Sequence, residues 1–92
     1  MHAALVNVTI DPEAADDART NLRDQVVPMV SGSPGFVAGY WLEPQQGKAL
    51  SIVVFDTEEQ ARQTAPPAGS SPFPGVTIDS LEFRAVAEGA SR

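Results

Sequence analysis

Two apolar runs split by a short polar break constrain this chain most. Phe36 to Glu43 is followed by an interruption at Pro44 to Lys48, and Ala49 to Phe55 then resumes the apolar pattern. Both runs are rich in β-branched and aromatic residues, so they read as two strands of a hairpin. In the first run, Phe36, Ala38, Tyr40 and Leu42 alternate with Val37, Gly39 and Trp41. Both alternate sets are apolar, which suits a strand covered on its two faces.

The flanking segments extend the pattern on both sides. Ala3 to Ile10 alternates cleanly, with Ala4, Val6, Val8 and Ile10 on one face and Leu5, Asn7 and Thr9 on the other. Asp11-Pro12-Glu13 then opens a helix: Asp11 can accept a first-turn N–H, and Pro12 suits the first helical position. Glu13, Asp16 and Asp17 complement the positive end of the helix dipole. Ala15, Ala18, Leu22, Val26 and Met29 recur at spacings of three and four, a buried stripe. Pro28 lacks a backbone donor, so the helix is expected to kink or end there. Ser31 to Gly35 reads as a turn.

Downstream, Thr57-Glu58-Glu59-Gln60 fits a capping box for a second helix, with Asp56 as an alternative cap. Pro66-Pro67 stops that helix after about nine residues. Its apolar face is Ala61 and Ala65, which are small. Ala68 to Gly75 is a loop rich in Gly, Ser and Pro, and Val76 to Ala87 reads as a last strand before a Glu88 to Arg92 tail. The order strand, helix, strand, strand, helix, strand predicts one α+β domain over residues 1–92. It is a ferredoxin-like split βαβ arrangement, with a four-stranded antiparallel sheet and two helices on one face.

Composition removes several function classes. The chain has 92 residues and a net charge of −6 with six Lys and Arg, which argues against nucleic acid and against anionic membrane surfaces. It has no cysteine, which excludes disulfides, thiol catalysis and thiolate metal sites. Its single histidine, His2, lies at the terminus, and the carboxylates are not grouped as metal ligands. No apolar run approaches a membrane span, and a cytoplasmic location is the default expectation. A domain this short buries only about 60–65% of its unfolded surface, so its own core is thin. Two helices cover one sheet face and leave apolar residues on the other, which predicts a two-fold homodimer.

Strand order, length and two short motifs resemble the dimeric α+β barrel superfamily, in particular its antibiotic-biosynthesis-monooxygenase-like group. The motifs are the Ser33-Pro34-Gly35-Phe36 turn after the first helix and Phe55-Asp56-Thr57-Glu58-Glu59 entering the second. The resemblance covers about Ala3 to Ala87. It implies a pocket between sheet and helices and, in members that oxidise aromatic substrates without a cofactor, an Asn on the first strand. Asn7 matches that position. Those members carry a Trp where this chain has Phe55, and heme-degrading relatives add a His on the second helix, which this chain lacks.

The candidate residues follow from these two lines. Asn7 can stabilise a developing oxyanion or enolate, or simply bond backbone or water. Tyr40 and Trp41 can stack on an aromatic ring and offer O–H and N–H donors, or fill core and interface. Because they alternate, at most one faces a subunit pocket. Phe55 would line that pocket, and Phe73 could close it as part of a lid loop. Arg23 and Arg62 could pair an acidic ligand, with a solvated surface role favoured. Asp16-Asp17 and Glu58-Glu59 are explained by helix-terminus electrostatics. The resemblance implies a small aromatic ligand, phenolic or quinone-like, and monooxygenation with no cofactor. The alternative is a non-catalytic binding or dimerisation module that kept the fold alone.

Overall fold

Alternation in the first segment places it at the centre of the sheet. β1 (His2–Ile10) pairs antiparallel with two neighbours. One is the strand Lys48–Phe55 (β3), the other Val76–Ala85 (β4). The hairpin partner Phe36–Trp41 (β2) closes the far edge, giving the order β2-β3-β1-β4. The computed structural model describes residues 1–92. β2 and β4 both stop two residues earlier than the sequence pattern suggests, at Trp41 and Ala85.

Both helices lie on the face of Ala4, Val53 and Phe55, where Val30 and Ala61 pack against them. Val26, Phe36, Trp41 and Phe83 extend this core as half-buried residues. The core is small: Phe55, at 1% exposed, is the one large side chain fully enclosed.

The first helix is continuous but not uniform. It combines a 3-10 turn at Pro12–Ala14, α-helix at Ala15–Asn21, a π-turn at Leu22–Val26 and α-helix again at Val27–Ser31. Asp11 caps it by accepting the Glu13 N–H at 3.0 Å. The helix does not end at Pro28. The Val27 N–H reaches back to the Leu22 carbonyl, a five-residue bond. That wider turn relieves the crowding a proline ring makes with the preceding carbonyls. The helix then closes at Gly32, whose N–H donates to the Pro28 carbonyl at 3.1 Å.

The second helix, Glu58–Thr64, carries the expected capping box. Thr57 Oγ1 accepts the Gln60 N–H and Gln60 Oε1 accepts the Thr57 N–H, both at 3.2 Å. The two short sequence motifs meet here. The Asp56 N–H donates to the Gly35 carbonyl at 2.8 Å, and the Phe36 and Phe55 rings contact edge to face at 6.2 Å. Gly35 has φ +79°, and a Cβ there would collide with the Gln60 amide. The Pro-Gly-Phe turn and the helix cap therefore form one junction, and glycine is required on two grounds.

A bulge corrects one expectation. The β2–β3 register shifts between Phe36 and Ala38. Phe36 consequently shares the helix-side core with Trp41, not the face of Ala38 and Tyr40. A second shift, between Asn7 and Val8, leaves Asp79 as the extra residue of β4.

Candidate functional site

The sheet has two chemically different faces, and the candidate residues divide between them. On the helix side, Trp41 and Phe55 belong to an aromatic group with Phe36 and Phe83. Gly39 makes room for the indole: a Cβ at Gly39 would lie 2.8 Å from the Trp41 ring. Ala61 is the one buried residue of the second helix, which packs on β1, β3 and β4, while β2 with Trp41 packs against the end of the first helix. Arg62 lies 4.4 Å over the Phe83 ring and also pairs with Glu58 at 3.2 Å.

On the open face, β1 presents Leu5, Asn7 and Thr9, opposite Ile52, Leu50 and Lys48 of β3. Tyr40 pairs with Ile52 and so lies on this face too, 62% exposed. Asn7 is exposed and donates from Nδ2 to Ser80 Oγ at 3.1 Å. Asn7 and Tyr40 therefore stand on the face opposite Trp41 and Phe55. Within one subunit the two groups cannot contact one ligand.

Phe73 belongs to neither group. It sits half-buried in the loop after the second helix, bridged to Val76. That loop is pinned along the start of β4: Gly69 N–H donates to the Ile78 carbonyl at 2.7 Å and Ile78 N–H to the Ser70 carbonyl at 2.9 Å. Such bonds cover an otherwise open strand edge.

Two open clefts, of about 500 and about 490 Å3, adjoin the start of the first helix. Thr9, Asp11, Gln46 and Thr77 line the first; Asp11, Glu13, Asp17 and Asn21 line the second. Neither is lined by Asn7, Tyr40, Trp41, Phe55 or Phe73. No group of three or more His, Cys, Asp or Glu is placed to hold a metal.

The surface charges are paired locally. Arg19 forks onto Glu43 at 3.0 and 2.7 Å, tying the first helix to the segment after β2. Hydrogen bonding and charge from Arg19 hold the Glu43 carboxyl below its ordinary range. Arg23 does the same to Asp24, at 2.9 Å. Both arginines that the sequence offered for an acidic ligand, Arg23 and Arg62, are thus engaged with neighbouring carboxylates.

Sequence reasoning missed a polar strap on the open face. Lys48 Nζ donates to Thr9 Oγ1 at 2.7 Å, and Thr9 Oγ1 donates to Asp79 Oδ2 at 2.5 Å. These three residues come from three adjacent strands. Without the register nothing in the sequence joins them.

No protein-family model matches the chain, and no curated protein does. Solved structures do. One is a point mutant of MhuD with two manganese protoporphyrin IX bound per active site, at TM-score 0.76 and 18% identity over 100% of both chains. Another is the heme-degrader MhuD from Mycobacterium tuberculosis with two hemes bound in its active site, at TM-score 0.75 and 18% identity. That match covers 99% of this chain and 100% of the other. The chain shares their ferredoxin-like α+β fold. The ferredoxin-like α+β fold expected from the sequence is therefore the fold observed.

The second helix offers heme iron no ligand. Heme iron takes an axial His, Cys, Met or Tyr. The second helix, Glu58–Thr64, contains none of these. The one histidine, His2, lies on β1 opposite Phe55 and Ala85, with its Nδ1 buried and unbonded. Phe55 and Ala61 are buried between the sheet and the second helix, at 1% and 0% exposed. No helix is long and apolar enough to cross a membrane.

Proposed function

We propose that this chain acts as a homodimer that binds a small planar aromatic molecule against Trp41, without heme and without turning it over. The observation that carries this reading is Trp41, half-buried on the helix side of the edge strand β2, where it packs against the core of Ala4, Val53 and Phe55. Aromatic side chains at the edge of a small core suit a flat apolar ligand. Asn7 is on the other face, and the one histidine, His2, is paired with Phe55, whereas Trp41 is paired with Ser51 at the other end of β3. Dimerisation is supported by the open face, where Leu5, Leu50 and Ile52 are half-buried and Tyr40 and Leu42 are exposed. Five or six such side chains at about 1.5–3 kcal/mol each amount to on the order of 10 kcal/mol, comparable with a whole domain's stability.

A second reading is favoured by one observation, that Asn7 and Tyr40 share the open face. In that reading a phenolic molecule lies between the paired sheets. Asn7 stabilises the oxyanion left when the phenolic proton passes to water; the charge delocalised onto a ring carbon forms a C–O bond to dioxygen, the peroxide anion takes a proton, and the hydroperoxide loses water with its C–H proton to leave a carbonyl. Trp41 is the single tryptophan, so its fluorescence reports the first reading directly. Titration with quinols and anthrones is expected to quench Trp41 with no oxygen consumed. Oxygen uptake that Asn7→Ala abolishes would install the second reading in its place. Absence of both quenching and uptake would leave a dimerisation module.

A further inference from the structure

The open face differs electrically from the rest of this protein. Among its strand residues, Lys48 and Arg84 face Asp79 and Glu82, with Lys48–Asp79 at 3.8 Å and Arg84–Glu82 at 3.7 Å. Two cations balance two carboxylates. The other four Lys and Arg and ten Asp and Glu carry the entire net charge of −6. Two copies of an acidic chain repel one another at most orientations, and least where the facing surfaces are neutral and paired.

We infer that the Lys48–Thr9–Asp79 strap fixes the register in which a second copy of this chain packs on the open face. This rests on the homodimer reading above. The half-buried Leu5, Leu50 and Ile52 supply non-directional attraction, which by itself permits several sheet-on-sheet registers. The strap supplies direction. Lys48 Nζ uses one of its three hydrogens on Thr9, and Asp79 Oδ1 makes no bond within the chain. Lys48 and Asp79 side chains remain 69% and 37% exposed. Under a two-fold axis, Lys48 of each copy meets the same partner groups as its equivalent, so one strap gives two sets of contacts. A polar group set in an apolar interface trades affinity for a single geometry, because a slipped register buries Asp79 Oδ1 and the remaining Lys48 hydrogens without partners. The partner is a second copy, not an acidic or basic protein, because the face carries no net charge to attract either.

The test is sedimentation velocity on the full chain, comparing wild type with Lys48→Met, Asp79→Leu and the double variant. Wild type is expected to be one dimeric species. Each single variant should weaken association roughly 100-fold, since it strands the other charge in the interface. The double variant should associate again, but as a mixture of dimer and larger species. Circular dichroism checks that all four are folded. If the wild type is dimeric and the single variants dimerise equally well, the strap has no such role although the dimer stands. If the wild type is monomeric at 100-fold above micromolar concentration, the dimer reading fails and the strap falls with it. A double variant forming one dimeric species as cleanly as wild type also overturns the register role.

Discussion

Replacing Gly35 by alanine tests the junction where the two family-like motifs meet. Two costs should add. The backbone at φ +79° is left-handed, and an L-residue there pays about 1–2 kcal/mol relative to glycine. The new Cβ would also occupy the position of the Gln60 amide, so Gln60 must swing away and give up its bond to the Thr57 N–H. Losing that capping contact costs about 0.5–1.5 kcal/mol. The sum is about 2–3 kcal/mol, which for a domain of this size lowers the melting temperature by roughly 10–20 °C. A double-mutant cycle separates the two parts. In a Gln60→Ala background the collision disappears and Gly35→Ala should cost only its backbone share. The expected coupling is about 1 kcal/mol. Urea unfolding followed by circular dichroism, at one fixed protein concentration because dimerisation would couple to it, gives all four values. Equal costs of Gly35→Ala in both backgrounds would mean that Gln60 does not lie against the turn. A cost under about 0.5 kcal/mol would refute the left-handed conformation itself.

Two further perturbations probe other levels of the structure. Phe55→Ala removes the one large side chain fully enclosed in the core and should cost about 3–5 kcal/mol in urea unfolding; a loss below about 1 kcal/mol would mean that Phe55 faces a void or solvent. Glu43 should titrate below the ordinary carboxylate range by NMR, and Arg19→Ala should return it upward. Because the folded-state value is the depressed one, this pair stabilises the fold above the unfolded-state value and loses its effect as pH falls through the folded one. An unchanged Glu43 titration in Arg19→Ala would show that the fork is not formed in solution.

The elements were legible because each carries a local signal. β1 alternates, Asp11-Pro12 and Thr57-Gln60 mark helix starts, and Pro66-Pro67 marks a stop, and the structure places helices and strands accordingly. Of the two outcomes expected at Pro28, a kink or an end, the helix does not end, for a physical reason. A missing donor forbids one bond pattern, but a π-turn four residues earlier offers another, and no residue type announces it. The bulge at Phe36 did mislead. With both alternate sets of β2 apolar, inserting one residue leaves the pattern looking unbroken while it moves a ring to the opposite face.

That last point also governs the candidate site. Asn7 was selectable from its position on the first strand, and Trp41 from its chemistry, but whether they cooperate depends on which face each occupies. The registers put Asn7 with Leu50 and Ser80, and Trp41 with Ser51. Trp41 is set partly by its own hairpin, through Gly39 and Ser51, but also by Ala4 of β1, and Asn7 is set by Ser80, 73 positions away. Local patterning governs how a segment folds, whereas a site is assembled by pairing that patterning does not encode. A shared fold at 18% identity transmits the pairing and leaves the side chains free. Here that freedom has buried Phe55 and Ala61 on the helix side, and has placed Lys48, Thr9 and Asp79 on the face opposite.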